Sequence, residues 1–134
     1  MRGQPALSRF RLDKLNARLS MVGCKARVLA ADHVHVIDCA AAPLDAAQRQ
    51  RLALLLDDNG EFDAVPRDSR VQWVVPRLGT ISPWSSKASD IARQCGLSGL
   101  SRIERVVRYV IQGVDSAPSC IAALHAALHD RMTE

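Results

Sequence analysis

The segment KARVLAADHVHVI, Lys25–Ile37, decides the fold, because its side chains alternate in character as they do in a β-strand. The even positions of this segment carry the apolar residues Val28, Ala30, Val34 and Val36. The odd positions carry the polar residues Arg27, His33 and His35. Successive side chains of a strand point to opposite faces of a sheet. The alternation therefore predicts a strand with one buried face, and it places both histidines on a solvated or interface face.

Two further strands are predicted downstream. Ile103–Ile111, IERVVRYVI, is rich in β-branched residues, which favour strands. Its two faces are Ile103, Val107, Tyr109 and Ile111 on one side and Glu104, Val106, Arg108 and Val110 on the other. A shorter strand is indicated where Val71, Trp73 and Val75 alternate, and Pro76 ends it.

Four helices are predicted between and after these strands. The first begins near Ser8 and ends at Gly23, and the second begins at Asp45, which forms a capping-box pattern with Gln48. A third helix is capped by Ser85 or Ser86 and ends at Gly96. The closing helix carries apolar residues at helical spacing, namely Ile121, Leu124, Leu128 and Met132.

Helices that alternate with short, one-sided strands favour an α+β fold, a small two-layer sandwich whose mainly antiparallel sheet is packed by about four helices. The two halves of the chain each resemble a helix–strand–helix–strand unit, which suggests an internal repeat. No glycine-rich dinucleotide or P-loop sequence is present, so a nucleotide domain of either kind is not indicated. A length of 134 residues predicts a single domain over 1–134.

Composition points to an ordinary globular protein, with 48% hydrophobic and 24% charged residues. The net charge of +4 is compatible with an anionic partner but does not require one. The basic residues form no stripe interleaved with exposed aromatics, so nucleic acid is not the indicated partner. No apolar run reaches the roughly 20 residues of a membrane span, and no membrane partner is expected.

Four cysteines, Cys24, Cys39, Cys95 and Cys120, are too widely spaced for a CxxC motif. With no signal peptide at the N-terminus, they predict a cytoplasmic protein with reduced, mostly buried thiols. His125 and His129 lie four residues apart but lack the intervening Glu of an HExxH motif, so they are interpreted as exposed helix residues rather than as metal ligands.

The segment from Arg77 to Lys87 differs from the rest of the chain, because it is polar, rich in Gly, Pro and Ser, and contains Trp84. Hydroxyls, cations and the amides of a following helix N-terminus suit a phosphate or a carboxylate. The competing interpretation is an ordered loop whose tryptophan fills this domain's own core, and composition favours neither. The candidate residues for substrate or a domain interface are Arg77, Thr80, Ser82, Trp84, Ser85, Ser86, Lys87 and Asp90.

The same region, PRLGTISPWSSKASDI (Pro76–Ile91), resembles the signature loop of the large, single-chain phosphoribosylformylglycinamidine synthases. Leu78 replaces the usual Pro of that loop and Ser89 the usual Thr. Four other stretches resemble the same family, namely Arg2–Ser8, Val34–His35, Arg102–Arg105 and His129–Glu134. The resemblance therefore covers essentially the whole chain.

This resemblance implies a domain similar to the small PurS-type subunit of the multi-subunit enzymes, in a pseudo-dimeric form. Its implied partners are the synthetase and glutaminase domains of the same enzyme, both absent from 1–134. It also implies no catalytic residue, metal or cofactor in this domain, with ATP and magnesium bound elsewhere in the enzyme. The enzyme converts formylglycinamide ribonucleotide, glutamine, ATP and water to the amidine, glutamate, ADP and phosphate, and the isolated domain is expected to be inactive.

Two other functions stay open on sequence grounds. A free-standing module that binds an anion or RNA would lose affinity steeply with salt. A regulatory domain that binds a small molecule would gain thermal stability from its ligand. The sequence leaves the oligomeric state undetermined.

Overall fold

A computed structural model describes residues 1–40, 42–114 and 117–130 of the chain. Within these described residues, strands and helices alternate, four of each. The elements are β1 (Arg2–Pro5), α1 (Arg9–Met21), β2 (Arg27–Cys39), α2 (Ala46–Leu56), β3 (Ser69–Val74), α3 (Pro83–Gln94), β4 (Leu100–Gln112) and α4 (Pro118–Leu128).

The four strands form one sheet in the order β1-β2-β4-β3, and every pairing is antiparallel. The two long strands, β2 and β4, pair along their lengths in the middle, and the short strands β1 and β3 form the edges. This architecture confirms the predicted α+β fold with an antiparallel sheet.

The helices pack on one face of the sheet and form two core clusters with it. Leu19 of α1 and Leu124 of α4 pack with Val28 and Tyr109 at one end. At the other end, α2, α3 and the strands contribute Leu52, Ala92, Leu100 and Ile103. These buried aliphatic side chains supply the main driving force for folding.

An internal two-fold relates the halves of the chain, because each has the element order β-α-β-α and the halves join through β2 and β4. The pairing register shows the same symmetry. Val34 pairs with Val106 at the centre, Asp32 pairs with Arg108 on one side, and Val36 pairs with Glu104 on the other. The repeat predicted from the sequence is therefore present, with β1 as its first element.

Val28 and Val34 of β2 are buried as predicted. The faces predicted for Val36 and His35 are wrong, and a β-bulge explains why. The register shifts between Val28 and Ala30, so the side chains beyond the shift change face. Val36, predicted to be buried, is 52% exposed, whereas His35 is 7% exposed and points to the helices. The faces predicted for β4 are correct, since Ile103, Tyr109 and Ile111 all belong to the helix-side core clusters.

The structure also has one strand that was not predicted and one helix that begins earlier than predicted. β1 was not predicted, because RGQP is short and lacks an apolar alternation. The third helix begins one turn early, since Ser82 is its N-cap and Pro83 occupies its first turn. Ser85 and Ser86 therefore lie within the helix instead of capping it. Met132, predicted in the last helix, lies outside the described residues.

The opposite face of the sheet is partly covered by the connection from α2 to β3, residues 57–68. The amide of Asn59 donates to the carbonyl of Arg2 on the β1 edge. Phe62 then lies over Arg108, with its ring centroid 4.4 Å from the guanidinium carbon. Arg108 is buried and forms an ion pair with Asp32 at 3.7 Å. This connection thus runs from one edge strand across the sheet toward the other.

Cys24 and Cys120 form a disulfide with an S–S distance of 1.99 Å, which corrects the prediction that all four thiols are reduced. The bond joins the segment after α1 to the first turn of α4. Cys39 is a half-buried free thiol and Cys95 an exposed one. Within the described residues, no helix has the length and apolar character needed to cross a bilayer.

Candidate functional site

Trp84 lies at the centre of the loop singled out from the sequence. Because Ser82 caps α3 and Pro83 opens it, the indole projects from the first turn toward the sheet. The rings of Trp84 and His35 stack in parallel, with centroids 5.3 Å apart and planes 8° apart. The guanidinium carbon of Arg105 lies 4.9 Å from the indole ring centroid, within the range of a cation–π contact. Trp84 therefore fills part of this domain's own core.

His35 is enclosed on its other side by the N-terminus of the chain. A Cβ atom added to Gly3 would lie 2.7 Å from Cε1 of His35, so this position has room only for glycine while the ring keeps its place. The N-terminal ammonium group of Met1 donates to the backbone carbonyl of His35 at 3.1 Å. Nδ1 of His35 is buried without a hydrogen-bond partner among the described residues.

Burial and neighbouring positive charge act on both histidines of β2. Burial, followed by the charge of the N-terminal ammonium, lowers the pKa of His35 to about 4. Burial and the Arg105 guanidinium also lower the pKa of His33. Both rings are therefore neutral near pH 7, and the positive charge beside them is carried by Arg105 and the N-terminal ammonium.

Two serines of α3 hold the helix against β4. The hydroxyl of Ser85 donates to the carbonyl of Ile103 at 2.6 Å, and the amide of Ile103 donates to the hydroxyl of Ser89 at 2.9 Å. β3 ends at Val74, which pairs with Val107, so this part of β4 lies beyond the end of its neighbour strand. The serine hydroxyls take the place that a longer β3 would have filled.

The loop before α3 is attached to β4 by a second set of polar contacts. The hydroxyl of Ser82 donates to Oε1 of Glu104 at 2.7 Å, and Arg102 forms an ion pair with the same carboxylate. Arg102 also donates to the carbonyl of Thr80 at 3.0 Å. Burial alone would raise the pKa of Glu104, but the hydrogen bonds from Arg102 and Ser82 outweigh it and lower that pKa.

The remaining loop residues of the prediction lie on the surface. Ser86 is exposed, and Asp90 forms an ion pair with Arg93 at 2.6 Å. Arg77 and Lys87 are exposed but line different grooves. Arg77 belongs to the groove with Val36 on the sheet face away from the helices, whereas Lys87 belongs to the groove between α2 and α3. The structure therefore does not bring these two cations together.

Four residues that hold the loop in place were not predicted as site residues, namely His35, Ser89, Glu104 and Arg105. For Ser89 the available signal was its spacing of four residues from Ser85, which puts both hydroxyls on one helix face. The other three lie in distant strands, and their contacts with the loop depend on the fold.

His125 and His129 have ring centroids 6.3 Å apart in an edge-to-face arrangement. In the described part of the chain, no three His, Cys, Asp or Glu residues converge as a metal site would require.

Four of the segments that carry the family resemblance meet at Trp84. The loop supplies the indole, Val34–His35 supplies the stacked ring, Arg102–Arg105 holds the loop, and Gly3 packs behind His35. In a comparison with protein families, residues 32–134 match the family described as formylglycinamide ribonucleotide amidotransferase N-terminal. The matched range contains most of β2, all of β3 and β4, and the whole loop.

Proposed function

This chain belongs to the formylglycinamide ribonucleotide amidotransferase N-terminal family, and from that membership we propose that it is a non-catalytic domain of phosphoribosylformylglycinamidine synthase. The proposed reaction of the whole enzyme takes formylglycinamide ribonucleotide, glutamine, ATP and water to formylglycinamidine ribonucleotide, glutamate, ADP and phosphate. The proposed location is the cytoplasm, where de novo purine biosynthesis uses this step.

The catalytic groups belong to other domains in this proposal. A glutaminase domain releases ammonia with a Cys-His-Glu triad, and a synthetase domain binds ATP with magnesium and activates the substrate's formamide oxygen by phosphorylation. The domain of 1–134 packs against both and contributes a preformed surface. We expect the isolated chain neither to hydrolyse glutamine nor to consume ATP.

The observation that carries this proposal is the way the loop uses its polar groups. The hydroxyls of Thr80, Ser82 and Ser85 all donate within the domain. Thr80 and Ser85 donate to backbone carbonyls, which are not bases. Glu104, which accepts from Ser82, is paired with Arg102, and its lowered pKa makes it a weak base. What the loop offers outward is charge, at Arg77 and Lys87. These features support a rigid loop that positions a neighbouring domain or an anionic substrate.

The test uses the full-length enzyme with Trp84→Ala or Lys87→Ala. Trp84→Ala removes the anchor of the loop, and we expect glutamine-dependent turnover to fall roughly tenfold or more, because small displacements of positioning groups are costly in rate. Lys87→Ala should lower the same rate with the fold intact. Lys14→Ala, an exposed change on α1, is the matched control and should leave turnover unchanged.

Thermal unfolding of each variant separates a folding defect from a functional one. Normal turnover in Trp84→Ala and Lys87→Ala, together with normal stability, would contradict the proposed role of the loop. Glutamine hydrolysis or ATP consumption by a clean preparation of the 134-residue chain would contradict the assignment as a non-catalytic domain.

A further inference from the structure

In each half of the domain, the chain leaves the second helix beside an edge strand of the sheet. In the first half, residues 57–59 follow α2 and contact the β1 edge. The amide of Arg2 donates to Oδ1 of Asp58 at 3.0 Å, and the amide of Asn59 donates to the carbonyl of Arg2 at 2.8 Å. Phe62 then lies on the sheet beside the Asp32–Arg108 pair.

The internal two-fold relates the position of the Asp32–Arg108 pair to that of the Glu104–Val36 pair. The surface at this second place is a groove lined by Val36, Val75 and Val106, with Leu78 at its margin. Val36 is 52% exposed and Val75 is 46% exposed, whereas Val106 is buried at its floor. Glu104 and Arg102 also line this groove, but they form an ion pair with each other. The three valines therefore offer a site for an apolar side chain.

Among residues 1–40, 42–114 and 117–130, no strand pairs with the outer edge of β3, which lies beside this groove. The carbonyl of Trp73 accepts a hydrogen bond from the side chain of its neighbour Gln72 at 3.3 Å, so it faces away from β4. Trp73 itself is 46% exposed. A free strand edge with apolar side chains binds extended peptide segments by adding a strand to the sheet.

The path of the chain leads to the same place. α4 ends at Leu128, and Leu128 and His129 line a groove together with Trp73 and Val75. In the first half, the corresponding exit from α2 at Leu56 leads directly to the β1 edge. The backbone that leaves α4 therefore lies beside β3, just as the backbone that leaves α2 lies beside β1.

We propose that the β3 edge and the Val36–Val75–Val106 groove together bind an extended segment of the amidotransferase from outside this domain. The segment pairs with the backbone of Trp73–Val75 and inserts one aliphatic or aromatic side chain into the groove, as Phe62 does in the other half. Arg70 and Arg77 are exposed at this edge, so acidic residues should flank the inserted side chain, as Asp57, Asp58 and Asp63 flank Phe62. This inference rests on the proposed function, which supplies the larger chain.

The first test compares the isolated 134-residue chain with the full-length synthase by amide hydrogen exchange. We expect the outward-facing amides of Trp73 and Val75 to exchange about tenfold or more slowly in the full-length protein, because pairing with an added strand protects them from solvent. Equal exchange in the two proteins would overturn the proposal. Protection in the isolated chain that rises with its concentration would also overturn it, since a second copy would then be the occupant.

The second test places a charge in the groove. In the full-length protein, Val36→Lys should abolish the added protection of β3, whereas Met21→Lys, an exposed apolar change on α1, should leave it intact. Thermal unfolding of the isolated domain carrying each change checks that the fold survives. Unchanged protection in Val36→Lys would overturn the proposed insertion of a side chain.

Failure of this docking proposal can be distinguished from failure of the proposed function. If Trp84→Ala lowers turnover while β3 exchange is the same in both proteins, the domain belongs to the synthase and this docking site is wrong. If neither effect is found, the proposed function itself fails.

Discussion

His35 carries an ionisable ring into the helix-facing side of the sheet, where it stacks on Trp84 and meets Gly3. Burial and the N-terminal ammonium hold its pKa near 4, against 6.5 for an ordinary histidine. The unfolded chain therefore binds a proton in a pH range where the folded chain does not. By linkage, stability is highest above pH 6.5 and declines as the pH falls toward 4.

This shift predicts a pH-dependent stability between pH 7 and pH 5. We expect the free energy of unfolding to fall by about 2 kcal/mol over that interval, since each pKa unit corresponds to about 1.4 kcal/mol. Chemical denaturation at several pH values measures it. His35→Gln should flatten the dependence, while His125→Gln, on the exposed surface of α4, should not. A profile that is equally steep in His35→Gln would show that another group titrates.

At the scale of single residues, the sequence allowed the loop to be selected but not its contacts. Trp84 was selected because a large aromatic residue in a polar loop needs a partner. Its partners His35 and Arg105 lie in different strands and are brought to it by the pairing of β2 with β4. His35 was assigned to the wrong face because the bulge after Val28 inverts the alternation, and nothing in the residue pattern marks a bulge there.

Among the elements, α3 and β4 depend on each other most directly. β3 is too short to pair with the first part of β4, and the hydroxyls of Ser85 and Ser89 bind both backbone groups of Ile103 instead. Ile103 is fully buried, so water cannot replace these hydrogen bonds. The position of α3, and with it the position of Trp84, is thus fixed by two small side chains.

Removing either hydroxyl should leave a buried backbone group unpaired. We expect Ser85→Ala and Ser89→Ala each to lower the free energy of unfolding by about 1–3 kcal/mol, the usual cost of an unsatisfied buried group. Urea titration of the isolated domain gives the values. Ser86→Ala, on the exposed side of the same helix, should change stability by less than about 0.5 kcal/mol. Equal effects at all three serines would mean that the hydroxyl contacts with Ile103 do not stabilise the fold.

Elements with strong local signals were predicted correctly. The capping box of Asp45 and Gln48 starts α2 as expected, with both reciprocal hydrogen bonds present. The faces of β4 follow its alternation without interruption up to Ile111. β1 was missed because Arg2–Pro5 becomes a strand only by pairing with β2, which is a tertiary effect that four residues do not encode.

The whole molecule is stabilised by a covalent link in addition to its core. The disulfide between Cys24 and Cys120 joins positions 96 residues apart and therefore closes most of the chain into a loop. It connects the segment after α1 with α4, on the side of the larger aliphatic cluster. The two free cysteines, Cys39 and Cys95, are not part of this link.

Loss of this link should destabilise the domain as a whole. We expect the free energy of unfolding of the Cys24→Ser/Cys120→Ser double variant to be about 2–4 kcal/mol lower than that of the oxidised protein. The reason is that the unfolded chain regains the conformational entropy that the cross-link removes. Denaturation with and without reductant measures the same difference in the parent. Cys95→Ser is the matched control and should be neutral. An identical stability for oxidised and reduced protein would contradict the expected contribution.

The internal two-fold has a consequence for how the domain reaches its native state. The sheet is joined at its centre by the pairing of β2 with β4, which is called the central seam here. These strands come from opposite halves of the chain, so the first half cannot complete the sheet by itself. During synthesis on the ribosome, the first half of the chain is complete before β4 is available. The edge of β2 that pairs with β4 therefore stays exposed until residue 112 has left the ribosome. Seams of such high sequence separation form slowly. We therefore expect assembly of this seam to limit the folding rate, and the early half to be the stage at which the chain is most open to misassociation.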